Sequence, residues 1–151
     1  MTLAIDCGGG GIKGSVVDER GTMMAPARRV PTPYPLPPEL LVETVVGLAK
    51  VLPPATRVTM GMPGMIRHGV VIATPHYITR DGPRSRVLPE LVERWDHFDM
   101  GRAIEAALGL PTKVLNDAEV AGAGAITGRG LEMIITLGTG LGNAVFDGGQ
   151  L

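Results

Sequence analysis

The sequence is poor in aromatic residues and cysteine and has no long apolar run. Aromatic residues make up 3% of the 151 residues although 44% are hydrophobic, so a core would consist of aliphatic side chains and methionine. No apolar run approaches the roughly 20 residues that span a bilayer, and the N-terminus lacks the charged start of a signal peptide. The single Cys7 excludes an internal disulfide and favours a reducing compartment. We therefore expect a soluble, cytoplasmic protein with no membrane partner.

The chain also lacks any excess of positive charge. Its net charge is -1 at pH 7, and no run of basic residues is present. Binding to a nucleic-acid backbone in bulk requires several clustered Lys or Arg side chains. We therefore expect no nucleic-acid partner.

Short strand patterns alternate with helical patterns along the chain, which is typical of an α/β fold. Strands are predicted at residues 2–6, 12–18, 22–30, 58–62, 69–73, 111–115, 133–137 and 143–146. Helices are predicted at residues 39–51, 89–95 and 100–108, and from Asn116 or Asp117 to about residue 126. The proline-rich residues 31–38 predict an extended loop, and the polar, turn-rich residues 74–86 predict an exposed one.

The two ends of the chain share a pattern of strand, glycine-rich loop and strand. A shift of 129 residues pairs Gly9 with Gly138 and Asp18 with Asp147. This repeat indicates two related domains, residues 1–130 and the first β-hairpin of a second domain at residues 131–151. Chance similarity between two glycine-rich hairpins is the alternative.

Four consecutive glycines, Gly8–Gly11, follow the first strand. Residues 9–14 match the pattern G-x-G-x-x-G, but a strand pattern follows where a dinucleotide-binding site requires a helix. The prediction is therefore a glycine-rich β-hairpin, whose backbone N–H groups can form a nest for an anion. A plain tight hairpin is the alternative, and it needs only one or two glycines.

Two charged residues flank this glycine run. Asp6 ends the first strand, where a carboxylate suits a hydrated Mg²⁺ that bridges to phosphates, or is simply solvated. Lys13 lies in the second strand, where it either contributes a positive charge toward phosphate or faces solvent.

Asn116 and Asp117 come between an apolar strand and a helix rich in small residues. Ligands bind at such carboxyl ends of strands in open α/β sheets. One of the two residues is expected to cap the helix, which leaves the other for chemistry. An Asp here is suited to accept a hydroxyl proton during phosphoryl transfer.

Four segments, in this order, resemble the ROK family of sugar kinases within the actin and hexokinase superfamily, and among them the polyphosphate/ATP glucokinases. The segments are residues 5–14 (IDCGGGGIKG), residues 60–64 (MGMPG) with 68–71 (HGVV), residues 110–118 (LPTKVLNDA) and residues 136–144 (TLGTGLGNA). Together they extend over almost the whole chain.

The resemblance implies a ribonuclease H-like (actin-like ATPase) α/β domain with a mixed five-stranded sheet and flanking helices. It implies a kinase that transfers a phosphoryl group from ATP or polyphosphate to a hexose hydroxyl, with Mg²⁺. By motif position, Asp117 is the general base and Asp6 organises Mg²⁺ through water. The remaining predicted site residues are Asn116, Gly64 and His76 for the sugar, and Gly8, Gly9, Gly10, Gly11, Lys13, Gly138, Thr139 and Gly140 for the phosphoryl donor.

The sequence departs from the family pattern in three places. Gly10 stands where the family usually has Ser or Thr, and His76 stands in a stretch that usually carries an Asn. The family's Glu–Gly–His sugar contacts and its Cys/His zinc site have no counterpart among these residues, so we expect an N-terminal fragment that is inactive alone. A non-catalytic sugar- or nucleotide-binding relative is the alternative. We also expect a homodimer, because the hairpin at residues 133–151 cannot form a closed sheet by itself.

Overall fold

The computed structural model describes residues 1–137 and 141–151, and within them the chain forms ten strands and four helices. The strands are Thr2–Gly8 (β1), Gly11–Val17 (β2), Arg28–Val30 (β3), Arg57–Met62 (β4), Met65–Arg67 (β5), Val70–Ala73 (β6), Phe98–Asp99 (β7), Thr112–Asn116 (β8), Leu131–Leu137 (β9) and Leu141–Asp147 (β10). The helices are Pro38–Ala49 (α1), Pro89–Trp95 (α2), Met100–Leu108 (α3) and Asp117–Ala123 (α4). None of these helices has the length and apolar character needed to cross a membrane.

A mixed five-stranded sheet forms the centre, in the order β3-β2-β1-β4-β8. β1 and β2 form an antiparallel hairpin and β3 continues it antiparallel, whereas β4 and β8 lie parallel to β1. The predicted mixed five-stranded sheet is therefore confirmed. The parallel arrangement brings the carboxyl ends of β1, β4 and β8 to the same edge, where ligands bind in sheets of this kind.

Helices cover both faces of this sheet. A Cβ atom added to Gly14 would lie 3.7 Å from Leu48 of α1, whereas one added to Gly61 would lie 3.3 Å from α4. Gly14 pairs with Ile5 and Gly61 pairs with Asp6. Because consecutive strand residues point to opposite faces, α1 and α4 lie on opposite sides of the sheet. The aliphatic core lies on the α1 side, where Ile5 is 3% exposed.

Two predicted elements are shorter in the structure. The strand predicted at residues 22–30 contains only Arg28–Val30, and Met23 makes an isolated bridge to Val17. Gly21, with φ 80°, turns the chain here, and Pro26 has no N–H to donate. The helix predicted to reach residue 126 ends at Ala123, within a run where two glycines weaken the helix.

The prediction of an exposed loop at residues 74–86 is wrong for half of its length. Thr74, Tyr77 and Thr79 are at most 3% exposed. The Tyr77 ring packs against the Trp95 ring, with the two centroids 5.5 Å apart. The contact of Tyr77 with Trp95 buries part of a segment whose composition is typical of a surface loop. Composition alone does not predict such a contact.

The last two strands form a separate two-stranded sheet. One face of this hairpin packs on α4 through Phe146, which is 2% exposed. Gly122 of α4 permits this contact, because a Cβ there would lie 2.6 Å from the Phe146 ring. The opposite face is apolar and exposed.

Candidate functional site

A cleft of about 970 Å³ opens at the carboxyl edge of the sheet. Five parts of the chain surround it: the turn between β1 and β2, the segment from Pro63 to Arg67, the loop at Pro75 and His76, the start of α4, and the β9–β10 hairpin with the C-terminal Leu151. Six of the residues singled out from the sequence line this cleft: Gly8, Gly9, Gly64, His76, Asn116 and Asp117. Gly10, Gly11, Lys13 and Asp6 lie on the adjoining hairpin, outside its lining.

Asn116 is the residue that caps α4. Its Oδ1 accepts a hydrogen bond from the Ala118 N–H at 2.8 Å, and its own N–H donates to Glu119 Oε2 at 3.0 Å. Its Nδ2 donates to the Gly64 carbonyl at 2.7 Å, which joins α4 to the β4–β5 connection. The spacing of Asn and Glu three residues apart is that of a capping box, so the role of Glu119 was readable from the sequence although it was missed.

Asp117 follows the cap as the first residue of α4, with a half-buried side chain. Gly61 of β4 lies directly against the start of this helix, because a Cβ there would be 3.3 Å from Val120 Cγ2 and 3.5 Å from the Asp117 Cα. Burial raises the pKa of the Asp117 carboxyl, and the charge of Asp6 adds to the rise. The Ala118 N–H and His76 act in the opposite direction. The carboxylate is thus a stronger base than a solvated Asp.

The glycine run forms the predicted hairpin. Gly8 pairs with Gly11, which leaves Gly9 and Gly10 as the turn. A Cβ on Gly9 would lie 2.6 Å from the Pro83 ring, so the loop at residues 74–88 packs directly on this turn. A Cβ on Gly10 would meet no atom within 4 Å. The absence of a side chain is therefore enforced by packing at Gly9 and not at Gly10.

Asp6 and Lys13 face each other across the hairpin on the same face as α4. They are register partners, and Lys13 Nζ lies 3.4 Å from Asp6 Oδ2. Their side chains are 62% and 53% exposed, so the pair is open to water and to a ligand. Within residues 1–137 and 141–151 no three potential metal-ligating side chains form a group.

His76 lies at the border between the turn and Asp117. Its ring carbon Cγ would be 3.8 Å from a Cβ on Gly9, and its charge acts on the Asp117 carboxyl. Its carbonyl accepts the Thr79 hydroxyl at 2.7 Å, which fixes the backbone at this point. The imidazole therefore lies beside the predicted donor loop and lines the same cleft as the predicted base.

The predicted second phosphate loop, Gly138, Thr139 and Gly140, lies outside the described residues. On either side of it, Leu137 and Leu141 line the cleft.

Cys7 does not belong to the cleft. It belongs to β1 and its side chain is fully buried in the core, and burial raises the pKa of its thiol. The neutral thiol behaves as a small core residue.

A mixed sheet in the order β3-β2-β1-β4-β8, with helices on both faces and a glycine turn at its ligand edge, is the ribonuclease H-like fold of actin-like ATPases. Within that fold, the chain belongs to the ROK family, whose sequence model matches residues 2–151. The resemblance seen in the four segments is therefore confirmed.

Curated relatives include N-acetylmannosamine kinase of Escherichia coli (strain SE11), 33% identical over 99% of this chain and 48% of its own length. Glucokinase of Streptomyces coelicolor is 31% identical over 100% of this chain and 45% of its own. The crystal structure of the inorganic polyphosphate/ATP-glucomannokinase from Arthrobacter sp. strain KM has a TM-score of 0.76 and 35% identity, over 97% of this chain and 58% of that one. The chain thus spans about half the length of the curated relatives it matches.

Proposed function

We propose that this chain forms the donor-binding part of a sugar kinase, which transfers a phosphoryl group from ATP or polyphosphate to a hexose hydroxyl. One observation carries the proposal: the half-buried carboxylate of Asp117 and the glycine turn line the same cleft. Phosphoryl transfer needs a base at the attacking hydroxyl and preorganised positive groups at the phosphates. The relatives named above are sugar kinases, which supports the same reaction class.

Asp117 is the proposed general base on the sugar hydroxyl. Its raised pKa, caused first by burial, strengthens the carboxylate as a proton acceptor. Asn116 has one amide hydrogen left for the sugar, because its oxygen caps α4 and its other N–H binds Gly64. His76, which lines the same cleft, is proposed to contact the sugar.

The glycine turn and Lys13 are proposed to bind the donor, and Asp6 to organise Mg²⁺. One exposed carboxylate is a suitable ligand set, because Mg²⁺ keeps several waters and takes its other ligands from the substrate phosphates. Bound there, the ion would supply charge neutralisation for the phosphates. Gly138, Thr139 and Gly140 are proposed as the second donor loop.

We also propose that residues 131–151 begin a second domain. The hairpin has its own sheet, an exposed apolar face and a sequence pattern that matches the first hairpin. The expected homodimer stays a prediction that depends on this face.

Exchange of Asp117 for Asn tests the base assignment in the complete gene product that contains this chain. Asn retains the oxygen that accepts the Ala118 N–H, so the fold is preserved. General base catalysis is worth about 10²–10⁴ in rate, and we expect kcat to fall by that factor while the sugar KM changes little. Transfer to glucose, mannose and N-acetylmannosamine from ATP and from polyphosphate is the measurement, and equal kcat in the two proteins contradicts the proposal.

The Asp117→Asn substitution should also change the free energy of unfolding by an amount that depends on pH. Folding raises the pKa of Asp117, so its contribution to the free energy of unfolding is fully present below the unfolded pKa and is lost as the pH rises through the folded pKa. Asp117→Asn should therefore be at least as stable as the parent at pH 7 in urea unfolding, and its advantage should shrink at pH 4. A variant that is both inactive and unstable at pH 7 would indicate a structural role instead.

The second candidate function is sugar or nucleotide binding without turnover, which the missing hydroxyl at Gly10 favours. In that case the complete protein binds ligand, transfers no phosphoryl group, and binds equally well after Asp117→Asn.

A further inference from the structure

The glycine turn is held by side chains that lie outside the cleft. The Gly8 carbonyl accepts the Thr32 hydroxyl at 2.7 Å and the Tyr77 hydroxyl at 3.5 Å. The Gly10 carbonyl accepts a hydrogen bond from the Arg29 guanidinium at 2.8 Å. Neither Thr32 nor Arg29 lines the cleft, whereas Gly8 does.

These two bonds fix the direction of the neighbouring N–H groups. A trans peptide is planar, so the carbonyl of one residue and the N–H of the next point in opposite directions. Thr32 therefore directs the Gly9 N–H away from its own side of the hairpin, and Arg29 holds the Gly10–Gly11 peptide in one orientation. Gly9 itself lines the cleft.

Such bracing matters because four glycines in succession are unusually free in the unbound state. Fixing one residue's backbone costs about 1–2 kcal/mol, and glycine loses more freedom than any other residue. A phosphate that had to order the turn would lose that free energy from its binding. A turn already held by its carbonyls binds the same phosphate more tightly.

Thr32 is itself held by the core. It is 8% exposed and lies in the proline-rich loop that leads to α1. The Trp95 indole N–H donates to the Leu36 carbonyl of that loop at 2.9 Å, and Trp95 is 2% exposed. The Tyr77 ring packs on the same indole. The hydroxyl that binds Gly8 is therefore attached to a rigid support.

Arg29 needs the glycine beside it. A Cβ on Gly11 would lie 2.6 Å from a guanidinium nitrogen of Arg29. Any side chain there would displace the guanidinium from the Gly10 carbonyl. The glycine run is thus longer than a turn requires because one member makes room for Pro83 and another for Arg29.

We propose that Thr32 and Arg29 are positioning residues that preorganise the turn for the phosphates of the donor, acting through the carbonyls of Gly8 and Gly10. The inference rests on the proposed donor-binding function and extends it to two residues that do not touch the cleft.

The test uses the complete gene product that contains this chain, tripolyphosphate with Mg²⁺ as the probe, and Thr32→Val, which keeps the shape and removes the hydroxyl. One hydrogen bond is worth about 0.5–1.5 kcal/mol, so we expect the calorimetric affinity to fall about 2- to 10-fold. Thr32→Ser keeps the hydroxyl and should restore most of the affinity. Equal affinity in Thr32→Val and the parent, or an equal loss in Thr32→Ser, overturns the proposal.

A second readout needs no ligand and separates this proposal from the function it rests on. In protein labelled with ¹⁵N-glycine, NMR gives the backbone order parameters of the turn glycines. These should fall in Thr32→Val toward the value of about 0.6 that marks flexible backbone, and they should return to the parent values in Thr32→Ser. Arg29→Lys keeps the charge and should also loosen the turn. If the parent chain binds no tripolyphosphate, donor binding by this chain is refuted while the order parameters still decide the bracing. Unchanged order parameters in both Thr32→Val and Arg29→Lys refute the bracing.

Discussion

The two hairpins of this chain have similar sequence patterns and very different surroundings. β1 and β2 lie in the middle of the five-stranded sheet, where Leu3, Ile5 and Cys7 are at most 3% exposed. Within the described residues, β9 pairs with β10 alone, and Leu131 and Leu137 are 77% and 83% exposed. Strand and glycine signals therefore define a hairpin, but the neighbouring elements decide which of its faces is buried.

The two hairpins also differ in how many strands and helices pack against them. The first hairpin has neighbouring strands on both sides and α1 on its apolar face. Within the described residues, the second hairpin packs mainly on α4, which contacts the face of Ala144 and Phe146. A sheet with one apolar face open to water is not a finished layer structure. This contrast is the main support for assigning residues 131–151 to a second domain.

The largest expected effect on stability is at Ile5, and Ile135 in the corresponding strand of the second hairpin is the comparison. Ile5 is 3% exposed and Ile135 is 57% exposed. Ile5→Ala leaves a cavity in the core and should lower the free energy of unfolding by about 2–5 kcal/mol. Ile135→Ala should change it by no more than about 0.5 kcal/mol. Urea unfolding followed by circular dichroism is the measurement.

Similar losses at the two positions would contradict the contrast. That outcome would mean that the outer face of the second hairpin is covered in the chain as it exists in solution. Repeating the measurement at several protein concentrations then shows whether a second copy provides the cover, because an association makes the stability depend on concentration.

The next effect concerns the docking of the second hairpin on α4. A Cβ on Gly122 would overlap the Phe146 ring, whereas one on Gly124 would lie 3.6 Å from its nearest neighbour, the Ala121 carbonyl. Gly122→Ala should cost about 1–3 kcal/mol through overpacking. The cost should appear as faster hydrogen exchange in residues 131–147, with exchange in residues 2–17 unchanged.

Gly124→Ala is the matched control, since it adds the same methyl group at the end of the same helix. Its exchange pattern should equal that of the parent chain. If both variants loosen the hairpin equally, helix geometry and not the contact with Phe146 holds it.

The positions of the central strands were accessible from the sequence because each strand has its own apolar run bounded by turns, whereas their order in the sheet was not predicted. The start of α4, which lines the cleft, was accessible for a similar reason, since Asn116 and Asp117 stand out between an apolar strand and a small-residue helix. The burial of residues 74–79 was not accessible, because it depends on a contact between Tyr77 and Trp95, 18 positions apart.

The bracing residues were missed for the same physical reason. Thr32 lies in a proline-rich loop and Arg29 in a short edge strand, and neither position has a local signal. Their importance comes from carbonyl groups that belong to another segment, so only the folded chain shows it. A local sequence pattern therefore identifies the residues that line a site more readily than the residues that hold the site in position.

The smallest expected effect on stability comes from Gly10, a position at which the two hairpins differ in sequence. The shift that aligns the hairpins pairs Gly10 with Thr139, so only the second loop has a hydroxyl at this position. Gly10 has open space and no positive φ, so Gly10→Ser should change the free energy of unfolding by no more than about 0.5 kcal/mol. The added hydroxyl should increase tripolyphosphate affinity by up to about tenfold, one hydrogen bond's worth. Gly10→Ala restricts the backbone similarly without a hydroxyl, so a gain shared by both variants would come from a stiffer turn, and no gain in either would show that the donor does not reach this position.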